Sequence, residues 1–263
     1  MPATWLHDRY DAPDRAGYAV NLLGSFSVCS AGQRVLLPFS LQRLIAFLAL
    51  HPGELLRTYV AGCLWPDSTQ TRADASLRSA LWRAQAPSAD LIRATSTHVT
   101  MADTVTVDVQ DVIGLVRRLI APATGCRNQD LNPARLTGEL LPDWTADDWI
   151  FLERERLRQL CLHGLESQAI RLLELGRHGE AIEAGLAAVR AGPLRESAHR
   201  VLIQIYLSEG NATEALRQYD WYRRLLRSEL GLNPSVQVRR LVARLRQDSP
   251  EVSAASGTLR LAR

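Results

Sequence analysis

The sequence predicts a mainly α-helical protein with a small β component, and three observations support this fold class. Three amphipathic helical patterns lie close together between residues 41 and 85, and a segment with strand-like alternation follows at residues 91–109. Three helices followed by a hairpin are the layout of a winged helix-turn-helix. From about residue 109 the patterns are almost wholly helical and contain a 34-residue repeat, which predicts an all-α, tetratricopeptide-like repeat domain.

The composition fits two globular domains and excludes some chemistries. The chain has 263 residues, of which 46% are hydrophobic, enough for a core in each domain. All 31 basic residues are arginine, so neither a Walker-type phosphate loop nor a lysine Schiff base can form. The net charge is only +3, and residues 18–108 contain seven arginines and six acidic residues. Any nucleic-acid surface there would therefore be a local patch.

The cysteines and the N-terminal segment are typical of a cytoplasmic protein. Cys29, Cys63, Cys126 and Cys161 lie more than thirty residues apart, which argues against zinc and redox motifs and favours reduced thiols packed as small apolar groups. Residues 1–17 lack an apolar core, and no run approaches the ~18 apolar residues of a membrane span. We expect residues 1–17 and 247–263 to be flexible tails.

The first elements in chain order are two short strands, predicted at Tyr18–Cys29 and Val35–Leu37 around an Ala31-Gly32-Gln33 turn. A helix follows, with an apolar stripe that ends before His51-Pro52-Gly53. This stripe consists of Leu41, Leu44, Ile45, Leu48 and Ala49. A second helix is predicted over Leu55–Trp65. A third runs to about Gln85, with capping groups from Asp67, Ser68 and Thr69.

Alternating apolar residues then predict strands with a turn at Ala102-Asp103. The alternating residues are Val99, Met101, Val105, Val107 and Val109. The winged-helix domain is accordingly expected over residues 18–108 and the helical repeat domain over residues 109–246.

The helical half contains an internal repeat. Gly176–Ala181 aligns with Gly210–Ala215 at a separation of 34 residues, the period of tetratricopeptide repeats. The small residues and the proline expected in such repeats are Ala169, Ala181, Ala188, Pro193 and Ala215, followed by Tyr219. Such a stack of helix pairs is typically a scaffold for contacts with other proteins.

The third helix carries a polar face opposite its apolar face. Arg72, Ser76, Ser79 and Arg83 lie at spacings of four, three and four residues, with Arg78 on one flank. As a recognition helix, this face would place arginines against bases or phosphates, with small serines allowing close approach to a DNA groove. The competing interpretation is the solvated face of an ordinary helix, which the surrounding helices and hairpin disfavour.

The segment Leu91–His98 is predicted to form the wing. Arg93 and the hydroxyls of Thr95 and Thr97 can bond phosphate oxygens, and such contacts fix register without reading sequence. His98 is more simply interpreted as an incidental polar residue.

Acidic residues cluster at Asp143, Asp147, Asp148, Glu153 and Glu155. Their irregular spacing, the absence of histidine and the interleaved arginines favour a helix start with pairing along the helix over a catalytic or metal site. Motifs for nucleophilic catalysis, zinc proteases and nucleotide binding are absent. The sequence therefore predicts a protein that is not an enzyme and needs no metal or cofactor.

Several segments in order resemble the Streptomyces antibiotic regulatory protein family of transcriptional activators, over roughly residues 18–246. Leu22–Gly24, Leu41–Leu50, Leu64–Pro66 and Leu77–Arg83 resemble its OmpR-type winged helix. The second half resembles its bacterial transcriptional activation domain in Leu141–Trp144, Asp148–Trp149, Glu153–Leu157, Pro193–Glu196, Glu209–Asn211, Glu229–Leu232 and Pro234. Unlike larger relatives, the chain has no ATPase, receiver or phosphothreonine-reading module.

The resemblance implies an activator that binds repeated sites in duplex DNA near a promoter and recruits RNA polymerase, with a homodimer as a further expected assembly. It makes Arg72, Ser76, Ser79 and Arg83 the groove-facing set, with Arg78 and Arg93 as phosphate contacts. Two other function classes stay open from the sequence. One is a protein-interaction adaptor whose winged helix no longer binds DNA, and the other is a regulator with a ligand pocket in the repeat domain.

Overall fold

The computed structural model describes residues 17–84, 90–121, 127–145 and 147–247, and most of the two predicted tails lies outside these ranges. It confirms a mainly helical chain with small sheets near the N-terminus. The chain forms two compact units, Met1–Gly125 with Ala134–Cys161, and Cys126–Pro133 with Leu162–Arg263.

The first unit begins with a four-stranded sheet of β1 (Tyr18–Asn21), β2 (Ser27–Ser30), β3 (Gln33–Arg34) and β7 (Thr106–Val107). The strands lie in the order β3-β2-β1-β7. β1 pairs antiparallel with β2 and parallel with β7. The predicted Tyr18–Cys29 strand is interrupted because the amides of Leu22 and Leu23 bond to the Asp108 carboxylate and Gly24 adopts a φ of 86°. Val35–Leu37, predicted as a strand, lies after β3 and outside the sheet.

Three helices follow, as the periodicity predicted: α1 (Phe39–Leu50), α2 (Arg57–Leu64) and α3 (Gln70–Arg83). Leu44, Ile45 and Leu48 of α1 are buried in the core. The second helix starts two residues later than predicted, because Leu55–Leu56 form β4 and pair with a strand some forty residues downstream. Thr69 occupies the N-cap position of α3, but its side chain makes no capping hydrogen bond, contrary to prediction.

The predicted wing is a hairpin of β5 (Ile92–Ala94) and β6 (His98–Met101), with β4 on the other side of β6. The alternation prediction fails at Val109. β7 ends at Val107, and Val109 lies in helix α4 (Asp108–Ile120), whose first residue accepts hydrogen bonds from the amides of Leu22, Leu23 and Val109. Burial raises the pKa of the Asp108 carboxyl, and these amide bonds oppose that shift.

Short 3-10 turns at Asn128–Leu131 and Pro133–Leu136 lead to the long helix α5 (Asp148–Glu174). Residues 134–161 pack in the first unit, so the structure divides the chain elsewhere than the predicted boundary after residue 108. The cause is a set of long-range backbone bonds. The Gly24 amide donates to the Glu139 carbonyl at 2.7 Å, and the Leu141 amide donates to the Leu22 carbonyl at 2.9 Å.

The second unit contains successive helices: α6 (His178–Ala191), α7 (Glu196–Ser208), α8 (Ala212–Leu230) and α9 (Val236–Gln247). Gly176 and Gly210, the aligned glycines of the repeat, have φ values of 72° and 80°. Left-handed backbone of this kind favours glycine at the end of a helix. The small residues and the tyrosine predicted from the repeat are buried, namely Ala169, Ala181, Ala188, Ala215 and Tyr219.

Candidate nucleic-acid interface

The third helix presents the polar face that the sequence predicted. Ala73, Leu77 and Ala80 bury one side of α3 against the core. On the other side Arg72, Ser79 and Arg83 are exposed, and Ser76 is half-buried at the edge of this face. Arg78 is exposed on the flank. We call Arg72, Arg78 and Arg83 the α3 arginines.

The α3 arginines differ from the other arginines of residues 18–108 in their bonding. Arg72 and Arg78 have no hydrogen bond or ion pair with any residue the structure describes, and Arg83 donates to the Ser40 hydroxyl at 3.2 Å. The remaining arginines each bond a carbonyl or a carboxylate: Arg34, Arg43, Arg57 and Arg93. Arg72 and Arg78 are thus the arginines of residues 18–108 that bond no residue the structure describes, and Arg83 bonds a hydroxyl rather than a described carbonyl or acid.

Arg93, the predicted phosphate contact of the wing, is already paired. Its Nη1 lies 2.6 Å from Asp103 Oδ2, and both side chains are largely exposed. An exposed pair of this kind contributes little to stability. Arg93 can therefore exchange its partner at a small energetic cost.

The wing hydroxyls have local roles. Thr95 Oγ1 accepts hydrogen bonds from the amides of Thr97 at 3.3 Å and of His98 at 2.9 Å, which closes the turn between β5 and β6. The Thr97 hydroxyl lies 2.9 Å from His98 Nδ1. Both threonines remain exposed at the tip of the hairpin.

Sequence reasoning missed Arg57 and passed over Trp82. The Arg57 amide donates to the Thr97 carbonyl at 2.9 Å and its Nη1 to the Thr95 carbonyl at 3.0 Å, so Arg57 ties the wing to the start of α2. These partners lie about forty residues away, and no local pattern indicates them. Trp82 is 73% exposed on α3. Trp82 lies next to Arg78 on the helical wheel, and this position indicates from the sequence alone that Trp82 lies beside the predicted DNA-binding face.

Known proteins resemble parts of the chain in sequence. Residues 134–246 match the family described as the bacterial transcriptional activator domain. The regulatory protein AfsR of Streptomyces coelicolor is 36% identical over 107 residues, which cover 40% of this chain and 11% of AfsR. AfsR of Streptomyces griseus is 34% identical over 101 residues, which cover 38% of this chain and 10% of that protein. The matched stretch thus spans only about a tenth of these curated relatives.

One solved structure shares the fold over most of the chain. Mycobacterium tuberculosis EmbR, in complex with a low-affinity phosphopeptide, matches with a TM-score of 0.72 and 19% identity. The match covers 89% of this chain and 66% of EmbR. Residues 134–246 thus match the bacterial transcriptional activator domain in sequence, and the likeness to EmbR shows the fold alone.

The acidic cluster lies at the start of α5, inside the matched domain. Asp147 pairs with Arg43, and Glu153 lies 3.2 Å from Arg156 and 3.6 Å from His51. Hydrogen bonds from Arg158 and then from Gln159 lower the pKa of Glu155 to about 2. Glu153 and Glu155 therefore pair with arginines along α5, as the helix-start interpretation predicted, whereas Asp147 pairs with an arginine of α1.

Other chemistries find no assembled site in the part of the chain that the structure describes. No group of three or more His, Cys, Asp or Glu residues there could hold a metal ion. Cys29, Cys63 and Cys161 are free thiols, and burial raises the pKa of Cys161 to about 11, while Cys126 lies outside the described residues. Among the described helices, none combines the length and apolar character that crossing a membrane requires.

Proposed function

We propose that this chain is a sequence-specific activator that inserts α3 into the major groove of duplex DNA at repeated promoter sites and recruits RNA polymerase. The observation that carries this proposal is the bonding state of the α3 arginines. Arg72 and Arg78 are exposed and bond no residue that the structure describes, and the exposed Arg83 bonds the Ser40 hydroxyl. By contrast, carbonyls or carboxylates of the fold hold Arg34, Arg43, Arg57 and Arg93. Guanidinium groups exposed on one helix in this way can pair with the phosphates and guanine edges of DNA.

The shape of α3 also supports groove binding. Ala75, Ser76 and Ser79 leave its outer side with short side chains, which lets the helix backbone approach base edges closely. An arginine can then donate two hydrogen bonds to O6 and N7 of a guanine, which distinguishes that base pair in the major groove. We assign base reading to Arg72, Ser76, Ser79 and Arg83, and phosphate contact to Arg78.

The wing supplies contacts to the DNA backbone in this proposal. Arg93 would leave Asp103 for a phosphate oxygen, and Thr95 and Thr97 present hydroxyls at the exposed hairpin tip. Arg57 fixes this tip from the start of α2. Such contacts set orientation and affinity without reading sequence.

Activation is assigned to the helical repeats, because stacked helix pairs present extended surfaces to other proteins. Two protomers on neighbouring sites would reinforce each other through raised effective concentration. RNA polymerase and a second copy of the chain are the proposed protein partners.

Replacement of the α3 arginines tests the proposal. The probe is the duplex that the wild-type protein enriches most from a pool of randomised duplexes. Arg72→Ala and Arg83→Ala should each cost about 1–3 kcal/mol of binding free energy. The matched control is Arg224→Ala, which removes an exposed arginine of α8. Wild-type affinity in the double variant would contradict the proposal and favour an adaptor that makes only protein contacts.

A further inference from the structure

An arginine of α1 reaches the end of the helix that precedes α3. Arg43 Nη2 donates to the carbonyl oxygen of Leu64, the last residue of α2, at 2.6 Å. The guanidinium carbon also lies 5.9 Å from the centroid of the Trp65 ring. Arg43 therefore binds the point at which the chain leaves α2 and turns toward α3.

The turn itself has few contacts that could fix its position. Residues 66–70 are all exposed, and a bond from the Ser68 amide to the Trp65 carbonyl at 3.1 Å closes it. The start of α3 is thus set by the packing of α3 on the core and by where α2 ends, with little added by the turn itself. That end is the point held by Arg43.

Arg43 is held in turn by an acid from the region before α5. The same Nη2 donates to Asp147 Oδ1, and this ion pair is mostly buried, with side-chain exposures of 18% and 8%. Arg43 Nε is buried without a hydrogen-bond partner. Because burying a guanidinium is unfavourable, the carboxylate of Asp147 is the main compensation for its charge.

Asp147 itself is fixed to the first unit from several sides. Trp149 Nε1 donates to Asp147 Oδ1 at 3.2 Å, and the Trp149 ring meets Phe47 of α1 edge-on at 5.2 Å between centroids. Trp144 stacks on Phe26 at 5.7 Å. The acid thus sits on an anchored segment rather than on a free loop.

We propose that Arg43 and Asp147 are positioning residues for the recognition helix α3. This inference rests on the proposed DNA binding. Asp147 lies within residues 134–246, the part that matches the activator-domain family, and not in the three helices or the wing. The activator-domain sequence would then set how accurately α3 meets the bases, without contacting DNA itself.

The test compares selective with non-selective binding in the full chain. Asp147→Asn removes the charge but keeps the shape of the side chain. Arg43→Lys keeps the charge but loses the fork of donors. The matched control is Glu155→Gln, because Glu155 is an acid of α5 that pairs with the exposed Arg158. Each protein is titrated at one salt concentration with the selected duplex and with poly(dI-dC), and its folding is checked by circular dichroism.

We expect Asp147→Asn to weaken binding to the selected duplex about tenfold, because breaking a buried pair leaves an uncompensated charge that displaces the end of α2. Binding to poly(dI-dC) should change by less than about twofold, since the α3 arginines still supply the electrostatic attraction. Arg43→Lys should fall between wild type and Asp147→Asn, and Glu155→Gln should match wild type.

A proportional loss on both duplexes, or no loss on either, would overturn the positioning role. If Asp147→Asn does not fold, the same affinity ratio measured for Arg43→Lys decides the matter. A wild-type protein that enriches no duplex would overturn the proposed function as well. The two failures are thereby distinguished.

Discussion

At the scale of single residues, the hydrogen bonds of one buried histidine in the second unit fix its protonation state. His199 is fully buried, with Nε2 2.8 Å from the Pro193 carbonyl and Nδ1 2.8 Å from Gln218 Nε2. A carbonyl only accepts, so Nε2 carries the proton and Nδ1 accepts from the Gln218 amide. The ring also stacks on Tyr222 at 4.1 Å. The folded protein therefore stabilises the neutral form of the His199 side chain.

This bonding predicts a loss of stability in acid. Burial lowers the pKa of His199 below 6.5, although the Pro193 carbonyl and Glu196 act in the opposite direction. Below about pH 6.5 the unfolded chain then binds a proton more readily than the folded chain, so the contribution is present above that pH and is lost as pH falls. The free energy of unfolding should fall by up to about 1.4 kcal/mol per pH unit from this group.

Urea titrations monitored by circular dichroism between about pH 7.5 and pH 5 measure this dependence. His199→Gln should be less stable than wild type at neutral pH but should show a shallower decline in acid. An equally steep decline in the variant would assign the acid sensitivity to other groups.

At the scale of elements, the helices set by neighbouring residues could be predicted from the sequence. The elements that depend on long-range pairing could not. The apolar stripes of α1, α2 and α3 are properties of neighbouring residues, so periodicity found these helices. The short strand Leu55–Leu56 exists because β6 pairs with it, and the sequence around it looks helical. Likewise, the exposed face of α3 was predicted from spacing, whereas the bonds of Arg57 and Arg43 to distant carbonyls could not be.

The wing and α3 should be separable in binding experiments. If Arg93 contacts a phosphate, Arg93→Gln should weaken binding to all duplexes by a similar factor. It should also make the slope of log K against log salt less steep, from a wild-type value near −5 to about −4. Fluorescence anisotropy over a salt series gives this slope. A sequence-dependent loss would instead make Arg93 a base contact, and an unchanged slope would remove it from the interface.

At the scale of the whole molecule, the division of the chain is less simple than two domains in succession. Residues 134–161 belong to the first compact unit, although they lie wholly within residues 134–246, the part that matches the activator-domain family. Backbone bonds from Gly24 to Glu139 and from Leu141 to Leu22 join this segment to the first strands. The Arg154 guanidinium ties the same segment to the start of α5, because it donates to the carbonyl oxygens of Leu140, Leu141 and Trp144. The sequence composition changes near residue 109, but the residues on both sides of it pack in the same compact unit.

This division predicts how truncations behave. A fragment of residues 1–161 should melt cooperatively and retain affinity for the selected duplex. A fragment of residues 1–108 should not, because it lacks α4, whose Val112, Leu115, Val116 and Leu119 are buried. Thermal melting by circular dichroism compares the two. Equal cooperativity in the shorter fragment would favour the boundary predicted from the sequence.

The central claim is that α3 enters the major groove at repeated sites, and dimethyl sulfate footprinting tests it most directly. This reagent methylates guanine N7 in the major groove and adenine N3 in the minor groove. On promoter DNA from its genomic neighbourhood, the full chain should protect guanine N7 at two sites separated by about 10–11 bp or a multiple of that distance. In the Arg72→Ala, Arg83→Ala double variant, that protection should disappear. Protection confined to adenine N3, or none at concentrations that bind the selected duplex, would contradict the account.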